Sequence, residues 1–326
     1  MATMASTSRN NWLALVLLLT LSALSVGGEL ADRSRAGSGP TEAALTAAIS
    51  EIKAGWQPGD AVRVTPSWWE SPWHRLSGIG EGANAPPFPA LLASPHEDSL
   101  TLTEFSRIWV LGAWDHAPER APLVAGLGPP QHRAELGEGV ALARFDLGPP
   151  PQMYRATGNL DSLQVRRQVP GADTRSCPRQ GGVFRCGMDP WLDVKVTHRD
   201  VGGRHVRWLY AHPGPGSGAL EIRWDKPPEG KWALLRVGHT QAAVRRDEGE
   251  PVQIRLLQND SKTLHETTLD RHTYTLVEHL APLDEPPLRS LTIEVRSPVP
   301  HWREVMAELI ILSEEPRGHA AVVPPP

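Results

Sequence analysis

The sequence predicts a two-part chain: a small α/β domain over residues 41–150, followed by an all-β, jelly-roll-like sandwich over residues 191–312. Three observations predict it. A helical stripe of apolar residues leads into a short alternating strand in the first part. Gly148-Pro-Pro-Pro151 then breaks that pattern. Beyond it, short runs alternate apolar and polar residues between Gly- and Pro-rich turns, with no helical periodicity among them.

The first segment sets the expected compartment. Arg9 supplies a basic start, and Trp12 to Val26 (WLALVLLLTLSALSV) runs without a charge. That is the length of a signal-peptide core and shorter than the roughly 20 residues of a membrane span. Val26 and Gly28 suit cleavage before Glu29, and Ala31 is a second option; an uncleaved single anchor is the other reading. Residues 1–28 are therefore expected to be a signal peptide or anchor. No cysteine lies near this point, which excludes a lipoprotein anchor. The remainder is expected outside the cytoplasm, periplasmic or secreted, with membrane contact only through an uncleaved leader. Residues 29–40 (ELADRSRAGSGP) read as a polar linker.

In the α/β part, Thr41 caps a predicted helix to about Lys53, whose Leu45, Ala48, Ile49 and Ile52 share one face. Pro58-Gly59-Asp60 turns into a strand over 61–65. A long Gly/Pro loop covers 75–100. Arg107–Gly112 reads as a buried strand, Ala117–Val124 as a short helix, and 132–136 and 140–146 as two more strands.

Residues 151–190 are polar and poorly periodic and are expected to be a connector. They hold the chain's two cysteines, Cys177 and Cys186, around PRQGGVFR. Gly181-Gly182 lets this loop turn back, and an exported chain meets an oxidising environment, so a disulfide is expected. A zinc site would need two more ligands, and no CxxC or HxxxH lies nearby. The sandwich strands are predicted at 191–197, 205–210, 219–224, 231–237, 252–258, 262–268, 273–278, 290–296 and 305–312. Residues 313–326 read as a disordered tail. The chain's formal charge of −4 argues against nucleic acid as a partner.

Two stretches resemble known families. HVRWLYAHP (205–213), GALEIRWDKPPEGKWALLRVGHT (218–240) and PVQIRLL (251–257) resemble a galactose-binding-like sandwich of exported bacterial proteins. AGWQPGDAVRVTPSWW (54–69), RIWVLGAW (107–114) and VALARFDL (140–147) are similar to the extracytoplasmic region that follows the membrane helices of protein-O-mannosyltransferase-like glycosyltransferases. Those enzymes carry their catalytic acids and lipid-phosphate site on a multi-helix membrane domain. No segment here matches that domain, so the resemblance implies no catalytic residue, and glycosyl transfer is not carried over.

The densest candidate site is Trp68, Trp69, Glu70 and His74, just after the strand over 61–65. Ligand sites in open α/β sheets favour strand carboxyl ends. Tryptophan faces stack on sugar rings, and Glu70 or His74 can bond hydroxyls. Trp114, Asp115 and His116 follow the next strand in the same way, so parallel neighbouring strands would put both clusters on one edge. The competing reading has these tryptophans packing over the core. Trp208, Trp224 and Trp232 on predicted strands are expected in the core.

Other motifs fail. His198-Arg199-Asp200 lacks the asparagine of a kinase loop, with His205 in its place. Gly78-Ile79-Gly80 follows no strand, and His265-Glu266 lacks the second histidine of a zinc protease. No catalytic residue, metal or cofactor is assigned. The expected function is non-catalytic binding of a glycan or envelope component, or assistance to envelope glycosylation. The alternatives are an extracytoplasmic hydrolase or transferase with its site near Trp68 and Trp114, and a structural envelope protein.

Overall fold

The computed structural model describes residues 39–77, 91–92, 99–137, 139–169, 171, 173–202, 204–214, 218–272, 274–284 and 287–316. The leader, most of the linker, the Gly78–Gly80 motif and the tail from 317 onward lie outside the described residues.

The first unit is a five-stranded sheet carrying one long helix. In chain order it comprises α1 (Glu42–Gly55), β1 (Asp60–Thr65), α2 (Glu70–Ser77), β2 (Leu91–Leu92), β3 (Arg107–Ala113), β4 (His132–Gly137) and β5 (Val140–Asp146), with sheet order β2-β1-β3-β5-β4. β1 runs parallel to β2 and β3, whereas β5 pairs antiparallel with β3 and β4. Thr41 caps α1, its hydroxyl accepting from the Ala44 amide at 3.3 Å. Leu45, Ala48, Ile49 and Ile52 then pack on Val62, Val64, Leu111 and Leu142, giving the helix a buried stripe at the expected spacing. The opposite sheet face packs Ile108, Val110 and Phe145 against Leu123 and Val124. Those last two sit in one of two separate 3-10 turns, Pro118–Arg120 and Pro122–Val124, rather than in the expected short helix. Pro122 has no N–H to carry a helix through that point.

The second unit is a sandwich of two antiparallel sheets. Its elements are β6 (Met153–Arg155), β7 (Leu163–Arg167), β8 (Arg175–Ser176), β9 (Arg179–Gln180), β10 (Val183–Phe184), β11 (Val194–Val201), β12 (Arg204–Ala211), β13 (Leu220–Asp225), β14 (Trp232–Gly238), α3 (Gln241–Val244), β15 (Val252–Gln258), β16 (Lys262–Leu269), β17 (Val277–Pro282), β18 (Ser290–Arg296) and β19 (Val305–Leu312). One sheet runs β17-β14-β19-β12-β11-β10-β9, with β6 also on β19; the other runs β16-β15-β18-β13-β7-β8. Alternate residues of the facing sheets, among them Ile222, Trp224, Leu235, Ile254, Ile293, Leu309 and Ile311, form one core.

Residues expected to form a connector thus supply strands to both sheets. β7 pairs with β13 from Leu163 to Arg167 and buries Leu163 and Val165. Its LQVRR alternation is too short to stand out. Cys177 and Cys186 form a disulfide. It sits where the chain leaves β8, at the edge of one sheet, and enters β9 and β10 on the other. Two strand bounds also shift. Trp191 lies in a 3-10 turn begun by Pro190, before β11 starts at Val194, and the strand expected at 273–278 begins at Val277, in register with Val237 of β14.

Residues 99–104 link the two units. Leu100 packs on Leu234, Leu280, Ile310 and Leu312, the outward side chains of β14, β17 and β19. β19 is therefore buried on both faces along its whole length. Charged groups follow the same side. Glu104 accepts from Arg204 at 2.8 Å and also pairs with Arg155 and Arg236. The fully buried Arg236 reaches Glu278 at 2.5 Å, Glu308 at 3.1 Å and the Leu100 carbonyl at 3.1 Å. Burial works to raise the Glu104 pKa, but the charges of Arg236, Arg204 and Arg155 outweigh it and hold the carboxyl below its ordinary range.

Candidate functional sites

The tryptophans of the two sequence-predicted clusters come together. β1 and β3 are parallel neighbours with Thr65 in register with Gly112, so both clusters leave the same sheet edge. The Trp68 and Trp114 rings lie 4.9 Å apart at 34°, and Trp69 meets Trp114 edge-on at 5.5 Å. Their roles differ. Trp69 is buried in the core beneath α1, Trp73 and Trp114 pack partly against that core, and Trp68 is 65% exposed. Glu70 and His74 fall on α2, both exposed. The residues after β3 form a tight turn, in which the His116 amide donates to the Ala113 carbonyl at 3.0 Å. A side chain at Gly112 would strike the His116 carbonyl, so the turn requires glycine there. Trp114 itself has φ +58°, a conformation bulky residues rarely adopt. Asp115 and His116 are 3.8 Å apart, Asp115 almost wholly in solvent and His116 about half so. The edge is therefore a small aromatic face with scattered polar groups around it.

A second site was not anticipated. At one end of the larger sandwich sheet β11 begins, β12 ends and β19 begins. A cleft of about 720 Å³ opens there, lined by Trp191, Tyr210, His212, Glu304 and the Pro298–Trp302 segment, which includes His301. Trp191 is 43% exposed and Trp302 is 55% exposed. Each wall has a structural reason. Pro190 starts the turn that lifts Trp191 off β11. The Tyr210 hydroxyl donates to the Trp191 carbonyl at 3.2 Å, and the His212 ring meets Trp191 edge-on at 4.6 Å. Behind them the buried Arg167 donates to the Leu192 and His212 carbonyls, at 3.1 and 3.0 Å.

The opposite side is built on Arg303. Its fully buried guanidinium donates to the carbonyls of Ala243 at 2.9 Å, Arg246 at 3.0 Å, Arg271 at 3.2 Å and Glu248. Gly249, at φ +87°, leaves room for the chain at His301 and Arg303, where a Cβ would come within 2.4 Å of the His301 carbonyl. With Arg303 fixed inward, its neighbours Trp302 and Glu304 face the cleft. Trp302 is held at φ +54° and carries the Arg246 guanidinium over its ring at 4.8 Å.

Electrostatics separate the groups in this cleft. Burial, with help from the charges of Arg167 and His301, pushes the His212 pKa down to about 4 despite the hydrogen bond to the Pro213 carbonyl. His212 is therefore neutral at pH 7, with Nδ1–H donating to Pro213 at 2.7 Å. Burial and the negative charges of Glu304 and Asp193 push the Tyr210 hydroxyl up to about 12. Glu304 is half-buried; one of its oxygens accepts from the Thr240 hydroxyl at 2.5 Å.

Sequence reasoning missed this cleft because it placed Trp191 on a strand and left Trp302 unremarked. The available signal was the setting of both: Pro190-Trp191 and Pro300-His301-Trp302 put tryptophan beside proline in inter-strand loops. The expected core tryptophans are as read: Trp208 and Trp224 are fully buried and Trp232 is partly so. Among the described residues no group of three or more His, Cys, Asp or Glu side chains is arranged to hold a metal, and no helix is long and apolar enough to cross a membrane.

No protein-family model and no curated protein matches the chain. Several solved structures overlap parts of it. A CBM51-2 and INT structure from Clostridium perfringens ZmpB, in complex with GlcNAc, has 12% identity and a TM-score of 0.28, covering 36% of this chain and 26% of that one. A CBM51 from Clostridium perfringens GH95, in complex with methyl-galactose, has 13% identity and a TM-score of 0.26, covering 35% and 79%. The C-terminal CBM6 of LamC from Zobellia galactanivorans has 12% identity and a TM-score of 0.23, covering 36% and 87%. The chain thus spans about a quarter of the first. At these scores the strand pairing, not the overlap, defines the sandwich. The resemblance to O-mannosyltransferase-like enzymes finds no support in these comparisons.

Proposed function

We propose that this chain is a non-catalytic saccharide-binding protein that works outside the cytoplasm, with the sandwich cleft as its principal site. The observation that carries this reading is the aromatic lining of that cleft. Two tryptophans stand partly exposed on rigid supports, beside a tyrosine, a neutral histidine and a carboxylate. Sugar rings need apolar faces to stack on and fixed polar groups to bond their hydroxyls, and sites of this kind mix the two. The sequence leader and the Cys177–Cys186 bridge support the compartment.

The Trp68–Trp114 edge is a second stacking face of the same protein. Glu70 and His74 follow Trp68 on α2 and Asp115 and His116 follow Trp114 in the turn, and the exposure of this edge favours weak binding over hydrolysis, because acid–base chemistry gains from exclusion of water.

The test is a glycan array followed by titration of Trp302→Ala and Trp68→Ala. Loss of one stacking face of about 1–3 kcal/mol corresponds to roughly a 5- to 150-fold fall in affinity. Trp302→Ala is expected to show that fall, and Trp68→Ala a smaller one. Absence of binding to every saccharide on the array would sink the reading.

A further inference from the structure

We infer that the cleft selects saccharides carrying a free ammonium group, that is, amino sugars without an N-acyl cap. The inference rests on the saccharide reading of the same cleft and names its ligand class. It starts from Glu304. The fully buried carboxylates of this protein are each paired with arginine: Asp60 with Arg107, Asp193 with Arg185, Glu294 with Arg255 and Arg296, and Glu308 with Arg155 and Arg236. That is the usual rule, since a carboxylate leaving water needs a compensating charge. Glu304 departs from it. It is partly withdrawn from water at the cleft, and among the described residues its side chain has a hydroxyl for a partner, Thr240, and no cation within ion-pair distance.

The cleft lining supplies no fixed cation for it. No lysine or arginine lines the cleft; its two histidines are His212 and the exposed His301, and among the described residues His301 forms no ion pair with Glu304. His212 is neutral at pH 7, and burial likewise lowers the pKa of His239, whose Nδ1 bonds the Glu304 backbone carbonyl at 2.8 Å. The Glu304 charge is felt by Tyr210, whose proton it helps to retain. Meanwhile the walls are the faces and edges of Trp191, Tyr210 and Trp302, and aromatic faces attract cations. A neutral pyranose would satisfy the stacking faces but leave the carboxylate unpaired. An anionic sugar would be repelled by it. A pyranose with a protonated amine satisfies both.

The experiment is isothermal titration of the full chain at pH 6 with three tetrasaccharides of one linkage: glucosamine, N-acetylglucosamine and glucose. Choline serves as a cation without a sugar ring. An ammonium–carboxylate contact supported by aromatic faces is expected to favour the glucosamine tetramer by about tenfold over both neutral oligomers. Glu304→Gln is expected to erase that preference, bringing the glucosamine tetramer down to the affinity of the neutral oligomers for the same variant. Its thermal midpoint, measured alongside, establishes that the variant is folded. Equal affinity for charged and neutral tetramers overturns the ammonium inference and leaves saccharide binding standing. Binding of choline with no binding of any tetramer, or no binding at all, overturns both.

Discussion

Two glutamates of this protein, Glu104 and Glu304, sit in contrasting surroundings. Glu104 comes from the first unit and enters a cluster of Arg155, Arg204 and Arg236 on the outer face of the sandwich. The charges of these arginines outweigh its burial, and the seam between the two units closes around it. Glu304 lies at the end of the same sheet, in a cleft, with a threonine hydroxyl for company. The first carboxylate has its compensation inside the fold. The second is left incomplete by the fold, and the incompleteness faces an open, aromatic-walled space. The difference separates a charge that holds architecture together from one available to a ligand.

The largest expected effect lies at the seam. Replacing Arg236 with methionine would leave Glu104, Glu278 and Glu308 facing one another with less positive charge among them. Removing one partner from a buried ionic cluster costs about 3–5 kcal/mol, because the remaining charges stay buried. Urea unfolding of Arg236→Met at pH 7 should show a loss of that size. A change under about 1 kcal/mol would mean that the cluster is better hydrated than its burial indicates, and the contrast with Glu304 would collapse.

How much of this was legible in the sequence depends on whether a feature is local. The α1 stripe, with Thr41 as its cap, follows from spacing alone; the bounds of β15 and β18 follow from apolar residues at alternate positions, and those of β19 from a nearly continuous apolar run. The disulfide follows from a short loop with two glycines. The convergence of Trp68 and Trp114 follows from the strand-end rule once β1 and β3 are parallel. What was not legible is whatever depends on a distant segment. Arg236 and Glu308 are buried where residues 99–104 cover their face of the sheet, a contact no local pattern around either residue announces. β7 reads as connector because a five-residue run cannot announce a partner as remote as β13. The cleft joins residues near 191, 210 and 302, and its decisive feature, a carboxylate without a cation, is a property of the assembled site.

An intermediate effect is expected on acidification. His212 has a folded-state pKa of about 4 against an ordinary 6.5. The neutral form is the one the fold favours, so the unfolded chain binds the proton more readily between those values. The resulting stabilisation is fully present above pH 6.5 and is lost as the pH falls toward 4, amounting to about 2–3 kcal/mol. Glu104, with its lowered pKa, destabilises in the same direction at still lower pH. Comparing His212→Asn with the parent isolates the first contribution. The variant should lose about 2–3 kcal/mol less between pH 7 and pH 4.5 in urea unfolding. Identical slopes would mean that water reaches the imidazole, and that the cleft floor is wetter than its packing against Trp191 implies.

The smallest expected effect completes the comparison. Glu304→Gln keeps the shape and the Thr240 hydrogen bond and removes a half-buried charge that no cation offsets. Its stability should change by no more than about 0.5 kcal/mol, or rise, whereas Glu104→Gln at the seam should cost about 2 kcal/mol or more. Thermal unfolding of the two variants side by side measures the difference. A large loss for Glu304→Gln would show that its charge supports the Trp302 corner, which would make it a structural residue like Glu104. Neutrality there, together with lost discrimination between charged and neutral sugars, would separate the two roles. The fold would then owe the position nothing, and the ligand would account for its charge.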